Sequence, residues 1–328
     1  MSFKGIDQTL IDQFFTRIAI DETNGLVEQI VYLPIQFASA GHLFPWLIQT
    51  QSLIHSFTLE ANKIILSLKL GKDDATCIPS LRPLMFKEVS YDDGFVKLVV
   101  EGLGGLKSLI QLVLAGAHQI DFQRSALQGK RGKKEEVLTC TAYYPVLNKI
   151  TIGLDDTDTS AIGDTYLTAL NIGQQIESEG CGHFLKLTVT FNYPRNPYKT
   201  TNNASSAMTF LVDPPNTDKL IRSVIDKAQH ATNSRETGVA ILEGLTTPSS
   251  LKSYANHCKG RMVEVSDAER TAKAINAQLV SFDRDRGMIG ALASLGFAND
   301  PQKAIIPSLK FRTLFKLGNS FVRVKEMF

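Results

Sequence analysis

The sequence has little of several things that would decide its class at once. Its four cysteines, Cys77, Cys140, Cys181 and Cys258, are scattered and include no Cys-x-x-Cys pair. A zinc ribbon is therefore not expected, and a reducing compartment is the plain reading. Long apolar runs are missing too. The longest, Leu109 to Ala117, is broken by Gln111 and Gly116, far short of the roughly 20 residues that cross a bilayer. The opening Met1 to Gln8 shows no apolar signal-peptide core, so a cytoplasmic protein that does not enter a membrane is expected. Charge of one sign is also lacking: a net +2 over 328 residues offers no global field for nucleic acid. No internal repeat, no low-complexity segment and no Ser-His-Asp or Cys-His arrangement stands out.

What is present is ordinary globular material, 43% hydrophobic and 21% charged, enough for two domains at roughly 150 residues each. The pattern reads as α+β. Three hairpins are expected in the first half: Ile18 to Tyr32 about an Asn-Gly turn, Phe57 to Leu70 about Ala61-Asn62, and Val89 to Val100 about Asp92-Asp93-Gly94. Gly102 to Gly105 should open an apolar helix running through His118. The one dense basic stretch, Gln128 to Lys134, is a glycine-interrupted loop. It is either a solvated connector or an arm that touches phosphates. The domain boundary is placed after it, near Pro145 to Lys149, giving an N-terminal domain 1–148 and a second region 149–328.

The second region starts with an alternating strand, Lys149 to Leu154, and continues with helices near 163–179, 218–231, 248–257 and within 263–278. Strands are expected at 184–191, 208–212 and 239–242. Its first strand ends on Asp155, Asp156 and Asp158. Three carboxylates in four residues repel one another and need a cation or hydrogen-bond donors to stay ionised together. Magnesium suits them, because it takes a few carboxylates and phosphate oxygens, and the helix beginning at Gly163-Asp164-Thr165 offers an N-terminus to a phosphate. The bland alternative is an Asx-rich turn with Asp164 as a helix cap. Asp156-Thr157-Asp158-Thr159-Ser160 also partly fits the Asp-x-Asp-x-Thr loop of haloacid-dehalogenase-like phosphatases, which would make Asp156 a nucleophile. That fold needs a second acidic pair at a later strand end, and none is obvious.

Three separated segments carry a resemblance to a known family. Ile152-Gly153-Leu154-Asp155-Asp156-Thr157-Asp158, with Gly163-Asp164-Thr165-Tyr166-Leu167 behind it, resembles the Gly-Ile-Asp-Asp-Thr-Asp-Ser and Thr-Thr-Tyr-Leu signature of archaeal tRNA-isoleucine agmatidine synthetase, TiaS. Pro197-Tyr198-Lys199-Thr200-Thr201-Asn202-Asn203 is similar to its Pro-Tyr-Lys-Thr-Arg-Gly-Asn segment. Arg286-Gly287-Met288-Ile289-Gly290-Ala291-Leu292-Ala293 resembles its Arg-Gly-Leu-Ile-Gly-Ala-Leu-Ala run. The whole-chain layout, with Gly102 to Gly105 and Thr232 to Gly238, looks more like the methanogenesis marker protein 11 family.

The resemblance implies a kinase-like unit with a ferredoxin-like part that uses ATP and magnesium, with phosphoryl-transfer or ligase-type chemistry and RNA such as tRNA as a partner. On it, Asp155, Asp156 and Asp158 would hold the metal, and Asp156, Asp158 and Thr165 would be catalytic. Lys199, Thr200, Asn202, Asn203, Arg286 and Gly287 would bind the nucleotide. Thr165 is the nearest counterpart of the threonine that the synthetase phosphorylates, in a segment one residue shorter than the family's. Taken as residues alone, Lys199 can be a point charge for a phosphate or a solvated lysine. Thr200, Asn202 and Asn203 can donate to a ligand or simply close their loop. Gly290 and Gly296 read as helix-packing positions, and His183 as structural.

Overall fold

The computed structural model describes residues 15–33, 51–60, 62–78, 84–104, 110, 113–128, 134–200, 202–306, 316–317 and 320–321. The chain forms two compact units, Met1–Leu147 and Asn148–Phe328.

The first unit is built from strands β1 (Phe15–Asp21), β2 (Leu26–Tyr32), β3 (Ile54–Glu60), β4 (Lys63–Lys69), β5 (Gly71–Lys72), β6 (Leu84–Asp92), β7 (Phe95–Leu103), β8 (Gln119–Gln128) and the first part of β9 (Lys134–Asp155). Neighbours run β3-β4-β2-β1-β9-β7-β6-β5, and β8 also pairs with β9. The three expected hairpins are β1–β2, β3–β4 and β6–β7. The first turns where Asp21 accepts from the Asn24 N–H at 3.0 Å and Gly25 takes a positive φ of 62°, open to glycine at no steric cost. Gly102 and Leu103 continue β7 instead of opening a helix, because they pair with Leu138 and Val137 of β9. Of that expected helix only Ile110 and Val113 are helical among the described residues. The basic stretch falls mostly outside the described residues; Lys134 begins β9 opposite Gln128. Inward-facing Ile18, Val27, Ile64, Leu66, Phe86, Leu98 and Cys140 make the core, each large side chain contributing about 1.5–3 kcal/mol by burial.

The second unit is a five-stranded antiparallel sheet between two helical layers. The end of β9 is central, with β11 (Ala204–Val212) on one side and β12 (Gly238–Glu243) on the other. Strand β10 (His183–Phe191) pairs with β11, and β13 (Gln278–Ser281) with β12. Period-2 alternation sends Ile150, Ile152 and Leu154 to one face. There they pack with α1 (Thr165–Ser178) and α2 (Thr217–Ala231) through Ala169, Ile172, Ile176, Leu220, Val224 and Ala228. The opposite face meets α3 (Ser249–Gly260), α4 (Val265–Ala274), α5 (Gly287–Leu295) and α6 (Pro301–Ile305). Gly153 lies on that face, and a Cβ there would overlap the Ala291 carbonyl oxygen, so α5 rests directly on the β9 backbone. The expected elements of this region are present, α1 beginning two residues later than the pattern placed it.

Candidate functional site

β9 ends on Asp155, and the chain turns at Asp156 with a positive φ of 53°, a conformation that Asp tolerates better than most residues. Neighbouring backbone holds the turn. Thr237 donates its hydroxyl to the Asp156 carbonyl at 2.8 Å, and the Asn233 N–H donates to the Thr157 carbonyl at 2.9 Å. Asp164 then caps α1, accepting from the Leu167 N–H at 3.1 Å.

Asp155 and Asp156 line a cavity of about 520 Å³, in the range of small-molecule sites. Its walls include Asn192, Tyr193, Tyr198 and Asn203 from the β10–β11 connection, Cys258 of α3, Arg261 and Glu264 between α3 and α4, Arg286 at the N-cap of α5, and Ile289 and Gly290 of α5. Gly290 makes room for the acid, since a Cβ at that position would overlap Asp155 Oδ2.

The two acids are costly to ionise. Burial, followed by the Asp156 charge, pushes the Asp155 carboxyl well above the usual carboxylate range. Burial also pushes Asp156 up to about 6; the Arg286 charge pulls the other way, while Asp158 and Glu236 add to the rise. Buried negative charge without full compensation is what a bound cation offsets. Among the described residues no three of His, Cys, Asp and Glu converge as a ready protein cage, so a cation here would draw ligands from elsewhere, as magnesium does with water and phosphate.

Arg286 supplies the positive charge. Its guanidinium lies over the Tyr198 ring at 4.5 Å and pairs with Glu236 at 3.3 Å. Its buried Nε has no hydrogen-bond partner, and neither has Asn192 Oδ1. Asn192 is 9% exposed and spends its Nδ2 on Ser205 at 3.1 Å. Unmatched buried donors and acceptors cost about 1–3 kcal/mol each, so a ligand that satisfies them gains correspondingly.

The structure does not bring all the sequence-predicted site residues together. Asp158 does not line the cavity; its two oxygens accept from Thr165 Oγ1 at 2.9 Å and Thr200 Oγ1 at 2.7 Å. Thr165 is 5% exposed, and its hydroxyl also accepts from the Thr157 N–H and hydroxyl at 3.2 and 3.1 Å. Lys199 and Asn202 are exposed and are not among the lining residues. Asn203 lines the cavity and donates to the Tyr193 carbonyl at 2.8 Å. Gly287 is buried at its contact with Gly238, where neither position admits a Cβ.

Sequence reasoning singles out neither Asn192, Arg261 nor Glu264, and gives Glu236 no role of its own. Arg261 and Glu264 belong to a turn between helices with no motif of its own. Glu236 sits within the Thr232 to Gly238 segment that had already stood out.

No family model matches the chain. Over 281 residues it is 32% identical to the uncharacterized protein MJ0921 of Methanocaldococcus jannaschii, covering 85% of this chain and 91% of that one. Over 151 residues it is 35% identical to the tRNA 2-agmatinylcytidine synthetase TiaS of Pyrococcus horikoshii. The chain belongs to a TiaS-like family. A second TiaS, from Methanosarcina acetivorans, is 29% identical over 160 residues. These two matches cover 44% and 46% of this chain but only 35% and 36% of the synthetases, so the chain spans about a third of the length of those TiaS relatives. Among solved structures, the crystal structure of a TiaS complex with tRNA and ATP matches with a TM-score of 0.41 and 23% identity, over 45% of this chain and 36% of that one.

Proposed function

We propose that the cavity at the end of β9 binds ATP with magnesium, and that this TiaS-like chain is an ATP-dependent enzyme of the phosphoryl-transfer or ligase type. One observation carries the reading: a buried carboxylate, Asp155, and a half-buried one, Asp156, share a cavity with an arginine held in place by a ring and a carboxylate. A triphosphate with its magnesium matches that set. The metal would sit at Asp155 and Asp156 and neutralise charge on the phosphates, and Arg286 would face phosphate oxygens as a planar donor. The unpaired Nε of Arg286 and Oδ1 of Asn192 support a polar occupant. In such chemistry the protein contributes mostly positioning and charge neutralisation, which suits groups fixed on a strand end and a helix.

The synthetase relatives are named for a tRNA reaction, and on that basis the proposed acceptor is an RNA, with tRNA first. The test is ATP consumption by the purified chain, with magnesium, in the presence and absence of total tRNA and polyamines. Turnover that depends on RNA supports the reading. Nucleotide binding without turnover in any mixture would replace it with a silent nucleotide- or RNA-binding module, a reading that the buried, fully engaged Thr165 hydroxyl also favours.

A further inference from the structure

The acid that does not line the cavity has a position of its own. Asp158 receives two hydroxyls from different parts of the chain, Thr165 at the first turn of α1 and Thr200 in the β10–β11 connection. The Thr165 proton is committed to it, because the Thr165 oxygen already accepts from two Thr157 donors. Gly163 packs closely against the base of Asp158: a Cβ there would lie 3.1 Å from Asp158 Cβ. At the other end, Thr200 is two residues from Tyr198, whose ring carries the Arg286 guanidinium. The connection is otherwise closed on itself: the Asn192 N–H donates to the Asn203 carbonyl at 2.7 Å, and the Tyr198 N–H to Asn196 Oδ1 at 3.0 Å.

We propose that Asp158 is a positioning residue that latches the cavity wall carrying Tyr198 to the α1 N-terminus. Through Thr200 it sets the height of the Tyr198 ring, and through the ring the orientation of Arg286. Its effect on ligand affinity rests on the nucleotide reading above; the latch itself does not. The required feature is two hydrogen-bonding atoms in a fixed place, not negative charge. An asparagine can satisfy both partners, accepting from Thr165 and donating to the Thr200 oxygen. Alanine cannot.

The experiment compares Asp158→Asn, Asp158→Ala, Thr200→Val and Thr200→Ser in the full chain. Amide hydrogen exchange of residues 193–203 reports the latch, and calorimetry with magnesium and ATP reports its consequence. Asp158→Asn and Thr200→Ser should keep slow exchange and stay within about threefold of the parent affinity. Asp158→Ala and Thr200→Val should speed exchange in that segment and weaken binding about tenfold, the scale of one lost hydrogen bond. Two results would overturn the proposal: loss of binding in Asp158→Asn as complete as in Asp158→Ala with exchange unchanged, or a Thr200→Val protein identical to the parent in both readouts. If the parent binds no ATP, the nucleotide reading fails, and the exchange pattern alone decides the latch.

Discussion

Arg286 meets a ring, a carboxylate and an open cavity at once, and each contact limits what can replace it. A lysine would keep the charge but lose the flat stack on Tyr198 and the paired geometry with Glu236. Arg286→Lys is therefore expected to weaken ATP binding nearly as much as Arg286→Ala. The loss should be about 10- to 100-fold, the scale of one charge-assisted hydrogen bond, measured by calorimetry at fixed salt. Full rescue by lysine would mean that only the charge matters. Gly290 is the other sharp position. The space a Cβ needs is taken by Asp155 Oδ2, so Gly290→Ala must displace the acid or α5. It should abolish nucleotide binding while lowering the melting temperature by only a few degrees, because the overlap is with a side chain rather than with backbone. The acids and Arg286 were legible in the sequence because an apolar strand ran straight into the acids and Arg286 opened a family-like run. Asn192 was not legible: a lone asparagine after a strand carries no pattern, and only the fold places it in the cavity with Asp155.

At the scale of elements, α1 and α2 were readable from periodicity, since each buries one face, and β11 and β12 from their apolar runs, which are buried on both faces; β13 and the short α6 were not read from the sequence. The long strand β9 was readable only in its last third. Its earlier residues, Lys134 to Asn148, become a strand largely through their ladders with β7 and β8. β8 itself alternates only from Gln119 to Gln123, with Ile120 and Phe122 as its apolar positions, before Arg124 breaks the pattern, too short a run to announce it. The seat of α5 was equally hidden, because it depends on a glycine inside a strand: only Gly153 lets the Ala291 carbonyl come so near the β9 backbone.

α6 is held from below by Lys259. This residue is 4% exposed, and its ammonium donates to the carbonyls of Lys303, Ala304 and Ile306, the last at 2.8 Å. Lys259→Met strands those acceptors and should destabilise the chain by about 3 kcal/mol. Burial pushes the Lys259 pKa down to about 8 from its ordinary 10.5. Between those values the unfolded chain keeps a proton that the folded chain has shed, so this group's contribution to stability rises with pH across that window. Urea midpoints of parent and Lys259→Met at about pH 7.5 and pH 10, on either side of the folded pKa, check the sign. The gap should move in favour of the parent at the higher pH, and a shift the other way would contradict it.

For the whole molecule, the division after Leu147 separates a β-rich unit from the unit that carries the family's motifs. Net charge near neutral gave no sign of a nucleic-acid partner, so any RNA affinity should come from local cations. If RNA binds, replacing Lys130, Arg131, Lys133 and Lys134 with alanine should flatten its salt dependence, by roughly 0.7 in slope for each phosphate no longer neutralised on a single strand. Affinity for ATP should not change. An unchanged slope would make that stretch a connector only. The most direct test of the central claim is calorimetric titration of the full chain with ATP, with and without magnesium, alongside Asp156→Asn. Magnesium-dependent binding at or below millimolar ATP, lost in Asp156→Asn, is the predicted result. No binding at millimolar ATP, or equal binding by Asp156→Asn, would contradict a magnesium–nucleotide site at the end of β9.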